Sequence, residues 1–174
     1  MQDFVVLMYE NKDMSIVIGA AYQGGIIGYI LKPGDPGYSV SVQHGIIASP
    51  QDISVDALWI VWDMIDIKST REEIGSGAEN TSLIISGQGP GLYAASICDR
   101  AIIGGYSDWF LPSKEELNKL YESRGLIGGF VNDHYWSSSQ KAFNTAHIQW
   151  FGDVVDQDYD YKDVPYRVRP IRYF

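Results

Sequence analysis

Gly104-Gly105-Tyr106-Ser107-Asp108-Trp109-Phe110-Leu111-Pro112-Ser113-Lys114-Glu115-Glu116-Leu117 is the stretch around which the chain organises. Its two ends carry opposite helix signals. The glycine pair closes a helix arriving from upstream, while Ser113 with Glu116 three residues on forms a capping box that opens another. Pro112 keeps the second helix from extending backwards. Upstream, Tyr93, Ala94, Ile97, Cys98, Ala101 and Ile102 recur along one stripe, which predicts a helix over 93–103. Downstream, Leu117, Leu120 and Tyr121 form the apolar face of a helix predicted over 113–123. Cys98 sits on the first stripe and reads as an inert core thiol.

Away from this pair the chain reads as strands and turns. Gly24 to Leu31 is a buried strand whose glycines permit close backbone approach, and it stops at Lys32-Pro33-Gly34-Asp35-Pro36-Gly37. His44 to Ala48 and the apolar, β-rich Ala57 to Trp62 are predicted strands. A short helix capped by Asn80 is predicted before Leu83-Ile84-Ile85. After Gly128-Gly129-Phe130 the chain returns to strands and loops. Two apolar runs, Phe4–Met8 and Ile16–Ala21, flank Glu10-Asn11-Lys12-Asp13, so residues 1–21 read as a hairpin or an arm. The expected division is this arm and one domain over 22–174.

Composition narrows the function. A chain of 174 residues buries about 70 % of its unfolded surface, enough for a core without staples. Thirteen basic against 22 acidic residues give −9, which argues against nucleic acid, sulfated polymers and anionic membranes as partners. The single Cys98 excludes an intrachain disulfide and cysteine-rich zinc sites. Met1-Gln2-Asp3-Phe4 lacks the basic region of a secretory signal, and its apolar run is too short to cross a bilayer. The chain therefore reads as cytosolic or as a piece of something longer.

No motif supports catalysis. Gly87-Gln88-Gly89-Pro90-Gly91 imitates a phosphate-binding turn but puts Leu92 where the third glycine belongs, and it reads better as a glycine-rich helix start. His44, His134 and His147 show no metal-ligand spacing, and no G-x-S-x-G elbow occurs. An enzyme is not expected. Asp156-Gln157-Asp158-Tyr159-Asp160 begins like a calcium loop, then fails at Tyr161 and Arg167. On a strand, Asp156, Asp158 and Asp160 share one face and Tyr159 and Tyr161 the other. A solvated edge is the favoured reading, a weak calcium contact at the three aspartates the alternative; no other cofactor is expected.

Residues 135–174 hold ten of the 23 aromatic residues, five Asp, no Glu, and five Lys or Arg. Tyr, Trp, Asn, Asp and Ser on loops are residue types of adaptable binding surfaces, whereas Trp136 and Phe151 read as core.

The opening stretch, with Ile127-Gly128-Gly129-Phe130, Tyr135-Trp136-Ser137-Ser138-Ser139 and Arg167-Val168-Arg169-Pro170-Ile171-Arg172, resembles the C-terminal domain family of the Legionella collagen-like adhesin. Tyr22-Gln23-Gly24-Gly25, Pro33 to Tyr38 and His44-Gly45 extend the resemblance over roughly residues 22–174. It implies an α+β, C-type-lectin-like fold, related to formylglycine-generating enzymes. In that fold two helices flank a small, mostly antiparallel sheet, and ligands meet a loop-rich face. The helices predicted at 93–103 and 113–123 would be those two, with Trp109 a core anchor and YWSSS and VRPIR closing strands. The cysteine pair of the related oxidases and the calcium tripeptides of sugar-binding lectins are both missing, so neither chemistry carries over. Some lectin-fold proteins of this kind are variable proteins of diversity-generating retroelements, whose altered Asn codons never yield Glu. The composition of 140–166 agrees with such a history.

The resulting expectation is a non-enzymatic recognition or adhesion domain on a bacterial surface or phage tail, meeting a protein or glycan through residues 140–166. Phe143, Trp150, Tyr159, Tyr161 and Tyr166 would be aromatic anchors; Asn144, His147, Gln149, Asp158 and Asp160 would supply hydrogen bonds. One alternative is a carbohydrate-binding adhesin, with Trp150 or a tyrosine stacked on a sugar. Another is a structural module that forms a homo-oligomer through the arm.

Overall fold

The computed structural model describes residues 16–61 and 63–174. The architecture is α+β, with two mostly antiparallel sheets and three helices among the described residues. The first sheet has the order β1-β2-β3-β9, from Ala21–Tyr22 (β1), Gly25–Ile30 (β2), Gly45–Ala48 (β3) and Ile171–Tyr173 (β9). The second contains Ser54–Ala57 (β4), His134–Ala142 (β5), Thr145–Trp150 (β6), Asp156–Tyr161 (β7) and Tyr166–Val168 (β8). Its order is β4-β8-β5-β6-β7, and only β5 and β8 run parallel.

The second sheet is apolar on both faces over most of its width. On one side Trp136, Ala146, Ile148 and Val168 pack with Ile84 of α1 (Gly77–Gln88) and Ala94, Ala95 and Cys98 of α2 (Ala94–Asp99). On the other, Tyr135 and Phe151 pack with Leu117, Leu120 and Tyr121 of α3 (Lys114–Ile127). The expected core residues Trp109, Trp136, Phe151 and Cys98 are all buried. Burial pushes the Cys98 thiol well up, as an inert core thiol requires.

The capping box at Ser113 forms as predicted: Glu116 N–H donates to Ser113 Oγ at 3.3 Å, and Ser113 N–H donates to the Glu116 carboxylate at 2.8 Å. That helix outruns its predicted end and stops at Ile127, where Gly128 takes φ 74°. The helix expected over 93–103 forms but is shorter, Ala94–Asp99. Ala101 N–H already tightens back onto Cys98 O, and Ile102, counted on the stripe, is largely exposed. The long helices on the two faces are therefore α1 and α3, with α2 an accessory to α1.

Asn80 does not cap α1; Ser76 precedes it, and Asn80 is buried inside the helix. Its side chain accepts from Arg71 N–H and donates to Arg71 O and Ser138 Oγ, pinning the incoming segment to β5. Gly87 and Gln88 close α1, so the apparent phosphate turn is a helix exit rather than a strand-to-helix loop. Of the strand expected over 57–62, Ala57 ends β4, residues 58–61 are not strand, and Trp62 lies outside the described residues. Beyond Ala57 the Trp59 and Ile60 amides both turn to Lys162 O, at 3.0 and 3.2 Å, while both side chains enter the core.

The described end of the expected arm lies against the first sheet. Ile16 and Ala20 pack against the Ile27–Ile47–Trp109 cluster, and Ile27 N–H donates to Ala20 O. The Phe4–Met8 half of the expected hairpin lies outside the described residues.

Between β8 and β9 the chain passes from one sheet to the other at Arg169-Pro170. Arg169 is buried and donates to Asp52 at 2.7 Å, to Ser49 O at 2.9 Å and to Gly129 O. Arg172 grips Asp108 through two hydrogen bonds of 2.7 and 2.8 Å and holds its carboxyl below the usual range. The loop between α2 and α3 is thereby tied to β9.

Candidate functional site: the two sides of an edge strand

Among the described residues β7 is an edge of its sheet, paired only with β6. The register places Thr145, His147 and Gln149 opposite Tyr161, Tyr159 and Gln157, and Ala146, Ile148 and Trp150 opposite Asp160, Asp158 and Asp156. Directly opposed residues share a face and alternate ones do not. The ten expected contact residues therefore do not form one surface. Tyr159, Tyr161, His147 and Gln149 lie on the α3 side; Asp158, Asp160, Trp150 and Tyr166 lie on the reverse. Phe143, exposed, and Asn144, half-buried, occupy the turn between β5 and β6.

On the α3 side Tyr159 and Tyr161 are 50 % and 55 % exposed and Phe143 54 %. Lys141 Nζ lies 5.7 Å from the Tyr159 ring centre, and Tyr159 meets the His147 ring edge-on at 6.4 Å. Beneath them His147 is buried, contrary to its expected ligand role. Its Nε2 faces Glu72 Oε1 at 3.1 Å, and Lys114 donates to Glu72 Oε2 at 2.7 Å. A carboxylate only accepts, so His147 Nε2 carries the proton. Burial pushes the imidazole below its ordinary value, while the Lys114 hydrogen bond holds the Glu72 carboxyl below its own.

Gln149 is also buried rather than presented: its Nε2 donates to Trp150 O and Asp156 O. Its Oε1 and Thr145 Oγ1, from the same row, have no partner among the described residues. Both corrections share a cause, because α3 and the segment before α1 cover this part of β6.

The reverse side is aromatic and acidic. His134 lies between Trp150 and Tyr166, with ring centres 4.9 and 5.2 Å away. The Tyr166 hydroxyl donates to Asp160, and burial pushes that phenol well up. Trp150 is half-buried over Gly152, where a Cβ would come within 2.1 Å of the indole.

The H-bonded pairs of β6 and β7 follow from Lys162 N–H donating to Asn144 O, so the amides of Tyr159 and Tyr161 point to the open edge. Asp158 and Asp160 each accept the amide that follows them, at 2.8 and 2.7 Å. These carboxylates therefore fill the donors that another strand would need. Three aspartates at alternate positions of an extended strand spread over about 13 Å. Among the described residues no three His, Cys, Asp or Glu side chains are placed together to hold a metal ion.

One residue escaped the sequence reading altogether. Lys162 is fully buried and donates to Ile65 O at 2.9 Å, to Phe143 O at 2.8 Å and to Gln140 Oε1, with Nζ 4.5 Å from the Trp59 ring centre. It anchors the turn carrying Phe143. Its alternation with Asp156, Asp158 and Asp160 gave its side of the strand, but only the loop laid over it explains its burial.

No family model matches this chain, and neither does any curated protein. Among the described residues no helix is long and apolar enough to cross a membrane.

Proposed function

We propose that this chain is a non-enzymatic recognition domain of the C-type-lectin-like kind, borne on a bacterial surface or phage tail. Its contact surface is the tyrosine side of β7 together with the β5–β6 turn. The observation behind this reading is the placement of exposed aromatic rings. Among the described residues four are exposed, and three of them, Phe143, Tyr159 and Tyr161, lie here; the fourth is Tyr38. Exposed rings with few rotatable bonds gain contact area at small entropic cost. Retroelement diversification of 140–166 belongs to the same proposal and rests on the absence of Glu from residues 135–174.

The test uses fluorescently labelled protein on a panel of intact bacterial cells and on a glycan array. Combined F143A, Y159A and Y161A substitutions should weaken binding at least about tenfold, more than 1.4 kcal/mol. The thermal midpoint should stay within a few degrees, because the three side chains are exposed. Unchanged binding by the triple variant would remove this surface from consideration.

The carbohydrate reading keeps one specific support, the Trp150–His134–Tyr166 row flanked by Asp158 and Asp160. Its signature is array binding lost on Trp150→Ala and kept by the triple variant.

A further inference from the structure

A cavity of about 430 Å³ opens on the other sheet, away from β7, between the β2–β3 loop, the segment before α1 and the end of β9. We propose that it is a binding site for a small, uncharged aromatic molecule that carries one hydrogen-bond donor, of the indole or phenol class.

The walls select against charge. Leu31, Pro36 and Ile74 supply aliphatic surface, and His44, Tyr173 and Phe174 supply rings. Among the described residues no Asp, Glu, Lys or Arg side chain lines the space. The nearby carboxylate of Glu116 is turned away and occupied, accepting from Gly75 N–H, Ser113 N–H and the Tyr173 hydroxyl. An anion entering here would lose its water without meeting a lysine or arginine among the lining residues. Predominantly apolar walls with a few polar groups, at this volume, are the usual character of a small-molecule site.

The space is also pre-formed. The loop wall is held by Asp35, which accepts from the Tyr29 hydroxyl and from Lys32 N–H, both at 2.7 Å. The remaining lining is glycine at 37, 45 and 75. At Gly75, φ is 92° and a Cβ would press on Pro36, so a side chain there would both strain the backbone and crowd the wall.

One polar atom fixes the ligand's chemistry. His44 Nδ1 lies 3.1 Å from Phe174 O, an oxygen that only accepts. In the neutral ring Nδ1 therefore carries the proton and Nε2 is an acceptor, with no partner among the described residues. The Tyr173 hydroxyl is spent on Glu116. The ligand thus brings a donor, and its ring lies among those of His44, Tyr173 and Phe174.

Titration of isotope-labelled full chain with indole, phenol, toluene and benzoate, read by amide chemical shifts, tests this. Indole and phenol should shift the Gly45 and Gly75 amides saturably with Kd below about 1 mM. Toluene should bind at least about threefold more weakly and benzoate not measurably, since one hydrogen bond and one desolvated charge separate them. His44→Phe keeps the ring and should erase the preference of indole over toluene. Ile74→Trp fills the space and should abolish both, with the spectrum reporting that each variant is folded. Absence of saturable shifts, equal binding of benzoate, or indole binding unchanged in Ile74→Trp would each overturn the assignment.

Discussion

Glu116→Ala should lower the free energy of unfolding by about 3–5 kcal/mol, the range for stripping a buried network of its charged acceptor. Glu116 is fully buried where three segments meet. Its carboxylate accepts from Gly75 ahead of α1, from Ser113 at the start of α3 and from Tyr173 of β9. Alanine leaves all three donors without a partner and undoes half of the capping box. At this chain length the thermal midpoint should fall by about 10 °C, and the urea midpoint should fall with it. A loss below about 1 kcal/mol would mean that water replaces the carboxylate at no cost. The pH profile gives a second reading. Burial raises the Glu116 carboxyl above its usual range, although its three donors pull it partly back. A raised carboxyl stabilises the fold fully below its unfolded value, and that contribution is lost as pH rises through the folded one. Wild type should lose stability relative to Glu116→Gln across that interval.

Lys162→Met should change the pH dependence of stability more than any surface substitution. Burial pushes the ammonium down to about 8 from 10.5. Between those values the unfolded chain holds the proton and the folded one releases it, so wild-type stability rises with pH. Over pH 8 to 10 the difference between wild type and Lys162→Met should grow by about 2 kcal/mol in favour of wild type. The other ionisable groups are common to both proteins and cancel in the difference. Urea unfolding at pH 8, 9 and 10 provides the measurement; parallel curves would show that Lys162 titrates as an exposed lysine does. Because Lys162 holds Phe143 O, the substitution should also loosen the turn that carries Phe143.

The legible parts of the fold were those fixed by close neighbours in sequence. The cap at Ser113 needs only Glu116 three residues on, and it stands where the spacing put it. The alternation of Asp156, Asp158 and Asp160 against Tyr159 and Tyr161 needs only an extended backbone, and the register agrees. Elsewhere distant packing decided. Ile102 fits a helical stripe by count but lies beyond the turn at Cys98. Asn80 has the composition of a cap, yet Arg71 and Ser138 claim its side chain. His147 and Gln149 have the right chemistry for a contact surface, and the placement of α3 and of the segment before α1 hides them. Lys162 is the extreme case, since nothing near it in sequence foretells the loop that covers it.

The separation of tyrosines from aspartates on β7 also bears on how this surface can vary. Composition is free to drift there, because the outward side chains carry little of the core. Length is not. A single residue inserted or deleted between Gly152 and Val155 would exchange the two sets, turning carboxylates toward His147 and tyrosines onto the Trp150 side. Productive variants should therefore differ by substitution within 156–161 while keeping that loop at constant length, or change it in steps of two.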